Sequence, residues 1–135
     1  MKIAIIRQKF VLYGGAEQFA DGFIHQLAES GHEVHIFANR WTPSHHKNIH
    51  HHFVATLNFN SFFRTLSFAR TVAKEIREEN FDIVQSHEKT WSQDVYRAGD
   101  GCHIKWLHQR GKQISPIKKL FLFLNPFHRL ILNLE

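Results

Sequence analysis

Short, continuous apolar runs alternate with amphipathic stretches along the first hundred residues. Residues 3–6 are all apolar, which predicts a strand over 2–7 that is buried on both faces. Apolar residues then recur at helical spacing over 15–30, and Gly31 follows at the position that commonly closes a helix. Alternation over 34–38 predicts a second strand. This strand–helix–strand unit implies a parallel sheet.

The same alternation continues beyond the second strand. It predicts a strand over 51–56, a helix over 61–80, a strand over 81–86 and a short strand over 94–98. The fold class expected from this order is α/β, a Rossmann-like doubly wound parallel sheet. Ligands of such sheets bind beyond the carboxyl ends of the strands, so three loops are site candidates: 8–15, 39–50 and 86–93.

The C-terminal part differs in charge from the rest. Residues 101–135 carry the whole net charge of +5, because acidic and basic residues balance before them. Within this part, 114–134 is a basic, apolar segment that predicts helices divided at Pro126. As an interfacial helix it would bind an anionic membrane surface; as a packing helix it would cover the sheet or a second domain.

The composition is that of one ordinary domain. The chain has 135 residues, of which 43% are hydrophobic, and no apolar run is long enough to span a bilayer. Cys102 is the only cysteine, and the N-terminus lacks the pattern of a signal peptide. These features favour a cytoplasmic location.

Gly14 and Gly15 stand where the first strand passes into the first helix. Glycine lets a ligand approach the backbone, and the free N–H groups of a helix start favour an anion. The pair is neither a dinucleotide fingerprint nor a P-loop, since the further glycines and the Gly-Lys-Ser/Thr sequence are missing. The residues alone leave two interpretations open: a phosphate contact or a plain turn.

Several motifs in this order resemble family-4 glycosyltransferases. Gly14-Gly15, Glu17-Gln18, Leu27 and the sequence GHEV at 31–34 resemble the opening of that family, and FDIVQSH at 81–87 resembles a later strand end. QDVYRAGDGCHIKWL at 93–107 is similar to the lipopolysaccharide-core glucosyltransferase branch. The resemblance implies the N-terminal, acceptor-side half of a two-domain GT-B fold. It makes 1–135 one incomplete domain whose nucleotide-binding partner domain is missing.

The resemblance also implies a reaction and residues for it. A hexose would pass from a nucleotide-sugar to a hydroxyl of a lipopolysaccharide or other glycan acceptor, with retention of configuration and without a further cofactor. This fragment alone would be inactive. The implied roles are catalysis for His87, donor diphosphate binding for Gly14 and Gly15, and acceptor binding for Arg7, Glu88, Arg97 and Lys105.

Five histidines between 45 and 52 suggest a metal site, since imidazole is a common zinc ligand. No cysteine or carboxylate lies in that segment, and His32-Glu33 is one residue short of the HExxH pattern. We therefore predict no metal site there.

Other classes remain as alternatives. A stand-alone, non-catalytic Rossmann-like binding or accessory module is the alternative if 135 residues is the natural length. A nucleotide-dependent oxidoreductase is disfavoured by the missing fingerprint, and the aromatic residues of the basic tail fit a helix face better than nucleic-acid stacking. We therefore expect no nucleic-acid partner. The protein would be cytoplasmic, with peripheral contact at the inner face of the membrane.

Overall fold

Strands and helices alternate through the parts of the chain that the structure describes. The computed structural model describes residues 1–10, 15–41, 45–99 and 101–135, with the backbone alone for 10 and 15–17. In chain order the elements are β1 (Lys2–Ile6), β2 (Lys9–Phe10), α1 (Gly15–Glu29), β3 (Glu33–Ala38), β4 (Arg40–Trp41), β5 (Ile49–Phe53), α2 (Ser61–Glu78), β6 (Ile83–Ser86), β7 (Val95–Tyr96), α3 (His103–Lys112), α4 (Pro116–Leu124) and α5 (Pro126–Leu134).

Five strands form one sheet in the order β5-β3-β1-β6-β7, and every pairing is parallel. The strand order therefore reverses between β1 and β6, as it does in doubly wound folds. This confirms the predicted α/β fold class. A second, two-stranded sheet joins β2 to β4 and so ties the chain after β1 to the chain after β3.

Each face of the sheet buries its own core against one helix. Ile3 and Ile5 pack with Ala20, Ile24 and Ala28 of α1. The intervening Ala4 and Ile6 face the other way and pack with Phe68 and Val72 of α2. Alternation of side chains on a strand, with a helix on both faces, explains why β1 is apolar at each position from Ile3 to Ile6.

Two predicted strands, the third and the fifth, differ most from those observed. The third principal strand covers Ile49–Phe53 rather than 51–56, because the buried Ile49 pairs with Val34 and so sets the register. Of the three histidines after Ile49, His50 was expected in the loop 39–50, and it lies instead on this edge strand together with His51 and His52. The fifth strand is only Val95–Tyr96, shorter than the predicted 94–98.

The C-terminal segment is divided as its prolines predict. Pro116 and Pro126 each stand in the first turn of a helix, where a missing N–H costs nothing. Ile131 and Leu134 of α5 are buried, and α5 contacts α2, whereas α4 has no buried residue among those described. None of the helices in the described residues is long and apolar enough to cross a membrane.

Candidate functional site

A small cavity lies at the carboxyl edge of the sheet, where the strand order reverses. Its volume is about 170 Å³. Loops after β1 and β6, together with α2, β7 and α5, supply its lining: Gln8, Thr65, Phe68, His87, Glu88, Lys89, Tyr96 and Ile131. Two of the three loops expected to form a site, 8–15 and 86–93, therefore contribute to one cavity.

His87 is the most perturbed group of this cavity. It directly follows β6, its main-chain N–H donates to the Ile6 carbonyl over 2.9 Å, and its residue exposure is only 7%. Burial, helped by the positive charges of Arg7 and Arg97, lowers the pKa of His87 to about 4. The ring is therefore neutral at pH 7.

The hydrogen bonds of His87 assign its proton. The side-chain amide nitrogen of Gln85 lies 2.9 Å from Nε2. An amide N–H donates, so Nε2 accepts and the neutral ring carries its proton on Nδ1. Nδ1 is buried and has no hydrogen-bond partner among the described residues. A buried polar atom without a partner is costly, and such atoms are uncommon outside functional sites.

Glu88 joins the loops after β1 and β6. Its Oε1 accepts a hydrogen bond from the main-chain N–H of Gln8 at 3.2 Å. The fully buried Ser86 holds the Glu88 backbone, because its Oγ donates to the Glu88 carbonyl at 2.6 Å and accepts from the Glu88 N–H at 3.1 Å. The carboxylate of Glu88 thus lines the cavity from a fixed position.

Arg7 and Arg97 bring positive charge to the same edge. Both charges contribute to the lowered pKa of His87, which places them near its ring. The Arg7 Nε donates to the Lys9 carbonyl at 3.1 Å. The Arg97 main-chain N–H donates to the Ser86 carbonyl at 2.8 Å, so β6 positions this arginine.

Phe19 of α1 has a different place from the one predicted. Its helical spacing suggested a core position, but the side chain is 53% exposed. The Arg97 guanidinium lies 4.4 Å from the centre of its ring, a cation–π geometry. This contact brings the first turns of α1 to the edge that carries Arg97.

The glycine pair is described only in part. Gly15 begins α1, while Gly14 lies outside the described residues. Because α1 follows β1, its N-terminus is at the carboxyl edge of the sheet, where its free N–H groups and dipole attract an anion. Arg7 and Arg97, whose charges act on His87, add positive charge at this edge.

Lys105, predicted to bind the acceptor, is on helix α3. It is exposed on α3 and is not among the described residues that line the cavity. Sequence reasoning singled it out because of the local charge and motif, neither of which reports distance. Conversely, Gln8, Lys89, Thr65 and Tyr96 line the cavity without having been singled out; the first two lie in the predicted site loops.

The sequence and the fold are both similar to those of known glycosyltransferases. The sequence model described as Glycosyltransferase Family 4 matches residues 13–132. Among the curated proteins, none matches the sequence. Among solved structures, the chain is similar to the crystal structure of WaaG, a glycosyltransferase involved in lipopolysaccharide biosynthesis, with a TM-score of 0.83 and 20% sequence identity.

The extent of that structural likeness is unequal for the two chains. It covers 98% of this chain but 34% of the WaaG chain, so this chain spans about a third of that length. At 20% identity the likeness concerns the fold. It confirms the predicted fold, an α/β part of a GT-B glycosyltransferase.

Proposed function

This chain belongs to glycosyltransferase family 4, and we propose that it is the acceptor-side domain of an enzyme that transfers a hexose from a nucleotide-sugar. The acceptor is a hydroxyl of a lipopolysaccharide or another glycan. The observation that carries the proposal is His87, a neutral, buried histidine with an unpaired Nδ1, at the point where the strand order reverses.

His87 acts through its Nδ1–H group. After a small rotation of the ring that exposes Nδ1 to the cavity, a sugar hydroxyl accepts this hydrogen bond and satisfies the buried donor. Neutrality is important because a charged imidazolium would be repelled by Arg7 and Arg97, whose charges already disfavour it. Glu88 lines the same cavity, and its carboxylate is suited to accept a hydrogen bond from a sugar hydroxyl there.

The donor diphosphate binds beside the start of α1. Gly14 and Gly15 allow it to approach the backbone, and the helix dipole and the two arginines stabilise its charge. Most of the donor is held by a second domain of the complete protein. At the start of α1, the negative charge that develops on the leaving diphosphate is stabilised. Positioning of the two substrates supplies much of the rest of the rate acceleration.

The anomeric configuration is retained in this proposal without a covalent glycosyl–enzyme intermediate. Glu88 is the carboxylate that lines the cavity, and its Oε1 already accepts from the Gln8 N–H. This hydrogen bond holds the carboxylate against the loop after β1, a fixed position that suits the orienting of an acceptor hydroxyl. We therefore assign Glu88 to acceptor binding, and no metal takes part in the transfer.

A membrane-bound acceptor is supported by helix α4. Ile117, Leu120, Phe121 and Leu124 follow the helical spacing of one face, and all are more than half exposed. Lys118 is exposed on the same helix. An apolar face flanked by a cation binds the interface of an anionic bilayer, so the protein acts as a peripheral protein at the inner face of the membrane.

The transfer reaction is tested with the complete protein. A panel of nucleotide-sugars is incubated with a truncated lipopolysaccharide core, and product is detected as a mass gain of one hexose. The proposal expects one preferred donor and acceptor-dependent product. Binding of a nucleotide-sugar without transfer to any acceptor would favour the accessory-module alternative.

Flotation with vesicles containing an anionic phospholipid tests the role of α4. The complete protein should float with these vesicles, and Phe121→Asp should remove most of that binding. Phe59→Asp is the matched control, because Phe59 is 84% exposed but lies outside α4. Equal loss in the two variants would refute a specific role of α4.

A further inference from the structure

A second cluster of polar side chains lies at the amino edge of the sheet, away from the cavity. Glu33 is the first residue of β3, and His35 follows two positions later on the same face. His50 of β5 is the direct partner of His35 in the parallel register. The centroids of the two imidazole rings are therefore only 4.8 Å apart.

The three side chains converge on one point. Glu33 Oε1 lies 2.8 Å from His35 Nε2 and 3.8 Å from His50 Nε2. One ligand atom from each residue lies within 4.8 Å of the others. Ligands at about 2.0–2.2 Å from a tetrahedral zinc are roughly 3.3 Å from one another. Small side-chain rotations therefore bring the three atoms around one ion.

We propose that Glu33, His35 and His50 bind one divalent transition-metal ion of the zinc type. Two imidazoles and one carboxylate are a donor set that Zn²⁺ accepts, with water as the fourth ligand. The side chains of Glu33 and His50 are 51% and 46% exposed, so the ion has a path from solvent.

His52 contacts the ligand His35 on the side away from Glu33. The His35 Nδ1 lies 2.7 Å from the His52 Nε2. With Nε2 of His35 bound to the metal, Nδ1 carries the proton and donates a hydrogen bond to the His52 Nε2. This hydrogen bond fixes the orientation of the ligand ring. The His35 side chain is 8% exposed and packs against the edge of Phe81, so its position is already restricted.

A neighbouring trio is less suitable. His35, His52 and Glu79 also lie close together, but Glu79 Oε2 is 2.8 Å from the Lys2 Nζ. A metal ion there would have to displace this ammonium group or tolerate its charge. The trio containing Glu33 and His50 is therefore the one that we assign.

The metal would stabilise the pairing of strands at this edge of the sheet. It would link β5, the edge strand, to β3, and so hold together strands whose pairing ends at solvent. The site lies at the opposite edge of the sheet from His87, so its effect is on the folded state and not on the transfer step. The sequence prediction missed it because the carboxylate comes from another strand, outside 45–52.

Calorimetric titration of the complete, untagged protein with Zn²⁺ tests the proposal. The tightest site should bind one ion per chain, and Co²⁺ in its place should show the strong visible absorption of four-coordinate cobalt. His50→Ala and Glu33→Gln each should weaken that site at least tenfold, and both side chains are exposed enough to spare the fold.

His45→Ala is the matched control, because His45 is an exposed histidine of the preceding loop. It should change the affinity less than twofold. The proposal is overturned if no saturable site is found, if His50→Ala leaves the affinity unchanged, or if His45→Ala weakens it as much as His50→Ala does.

Discussion

The lowered pKa of His87 has a direct consequence for stability. A neutral histidine in the folded protein and a protonated one in the unfolded chain mean that unfolding takes up a proton at moderately acidic pH. Lowering the pH from 6.5 towards 4 therefore favours the unfolded state. His87→Gln removes this proton uptake and should make the protein less sensitive to acid.

The size of the effect follows from the two pKa values. With a value near 6.5 in the unfolded chain and about 4 in the folded protein, linkage gives a loss of about 2 kcal/mol between pH 7 and pH 5. The loss approaches about 3 kcal/mol at pH 4. Other buried histidines add their own pH dependence, but it is common to the parent protein and the variant.

Urea denaturation at pH 7 and pH 5 measures the difference. The free energy of unfolding of the parent protein should fall by about 2 kcal/mol more than that of His87→Gln between the two pH values. His45→Gln, which changes an exposed histidine, should follow the parent protein. A parallel decline of the parent and His87→Gln would show that the folded protein does not hold His87 neutral.

Three further changes test the surroundings of this histidine. Ser86→Ala should lower the free energy of unfolding by about 1–3 kcal/mol in urea, since the Glu88 N–H loses the fully buried Ser86 hydroxyl as its acceptor. Arg97→Met should raise the pKa of His87, as measured by NMR titration. An unchanged pKa would show that the charge of Arg97 does not act on His87. Gly15→Ala should reduce transfer activity without lowering the melting temperature, because Gly15 is helical and alanine favours a helix. A proportional loss of activity and melting temperature would show that Gly15 has only a structural role in the turn.

Much of the fold could be predicted because its signals are local. The apolar run of β1 and the helical spacing of α1 each identify one element, and their order implies a parallel sheet. The two-residue strands β2 and β4 carry no periodic signal, so they were missed. The start of β5 was misplaced because its register depends on Ile49 pairing with Val34, a contact between distant parts of the chain.

The candidate site was predictable only as a region. The end of β6 and the loop after β1 were expected to meet, and His87 was expected at that edge, because both follow from the topology. Lys105 was selected for its charge and its motif; it is exposed on α3, and its role in acceptor binding stays a prediction. Neither the exposure of Phe19 nor its contact with Arg97 could be deduced from helical spacing alone, because that contact joins α1 to the chain after β7.

The C-terminal helices show the same limit. Pro126 marks the division of the segment, and it does so in the sequence as well as in the structure. Which of the two helices packs is a tertiary property: α5 buries Ile131 and Leu134, while α4 leaves its apolar face exposed. Composition alone assigns both helices the same preference for burial.

The central claim is that His87 belongs to a glycosyl-transfer site. The most direct test compares kcat/KM for transfer by the complete protein, the His87→Gln variant and the His45→Gln control, at pH 7 where all three are folded. We predict at least a tenfold loss of kcat/KM for His87→Gln and no loss for His45→Gln. A His87→Gln variant with the kcat/KM of the parent protein would contradict it.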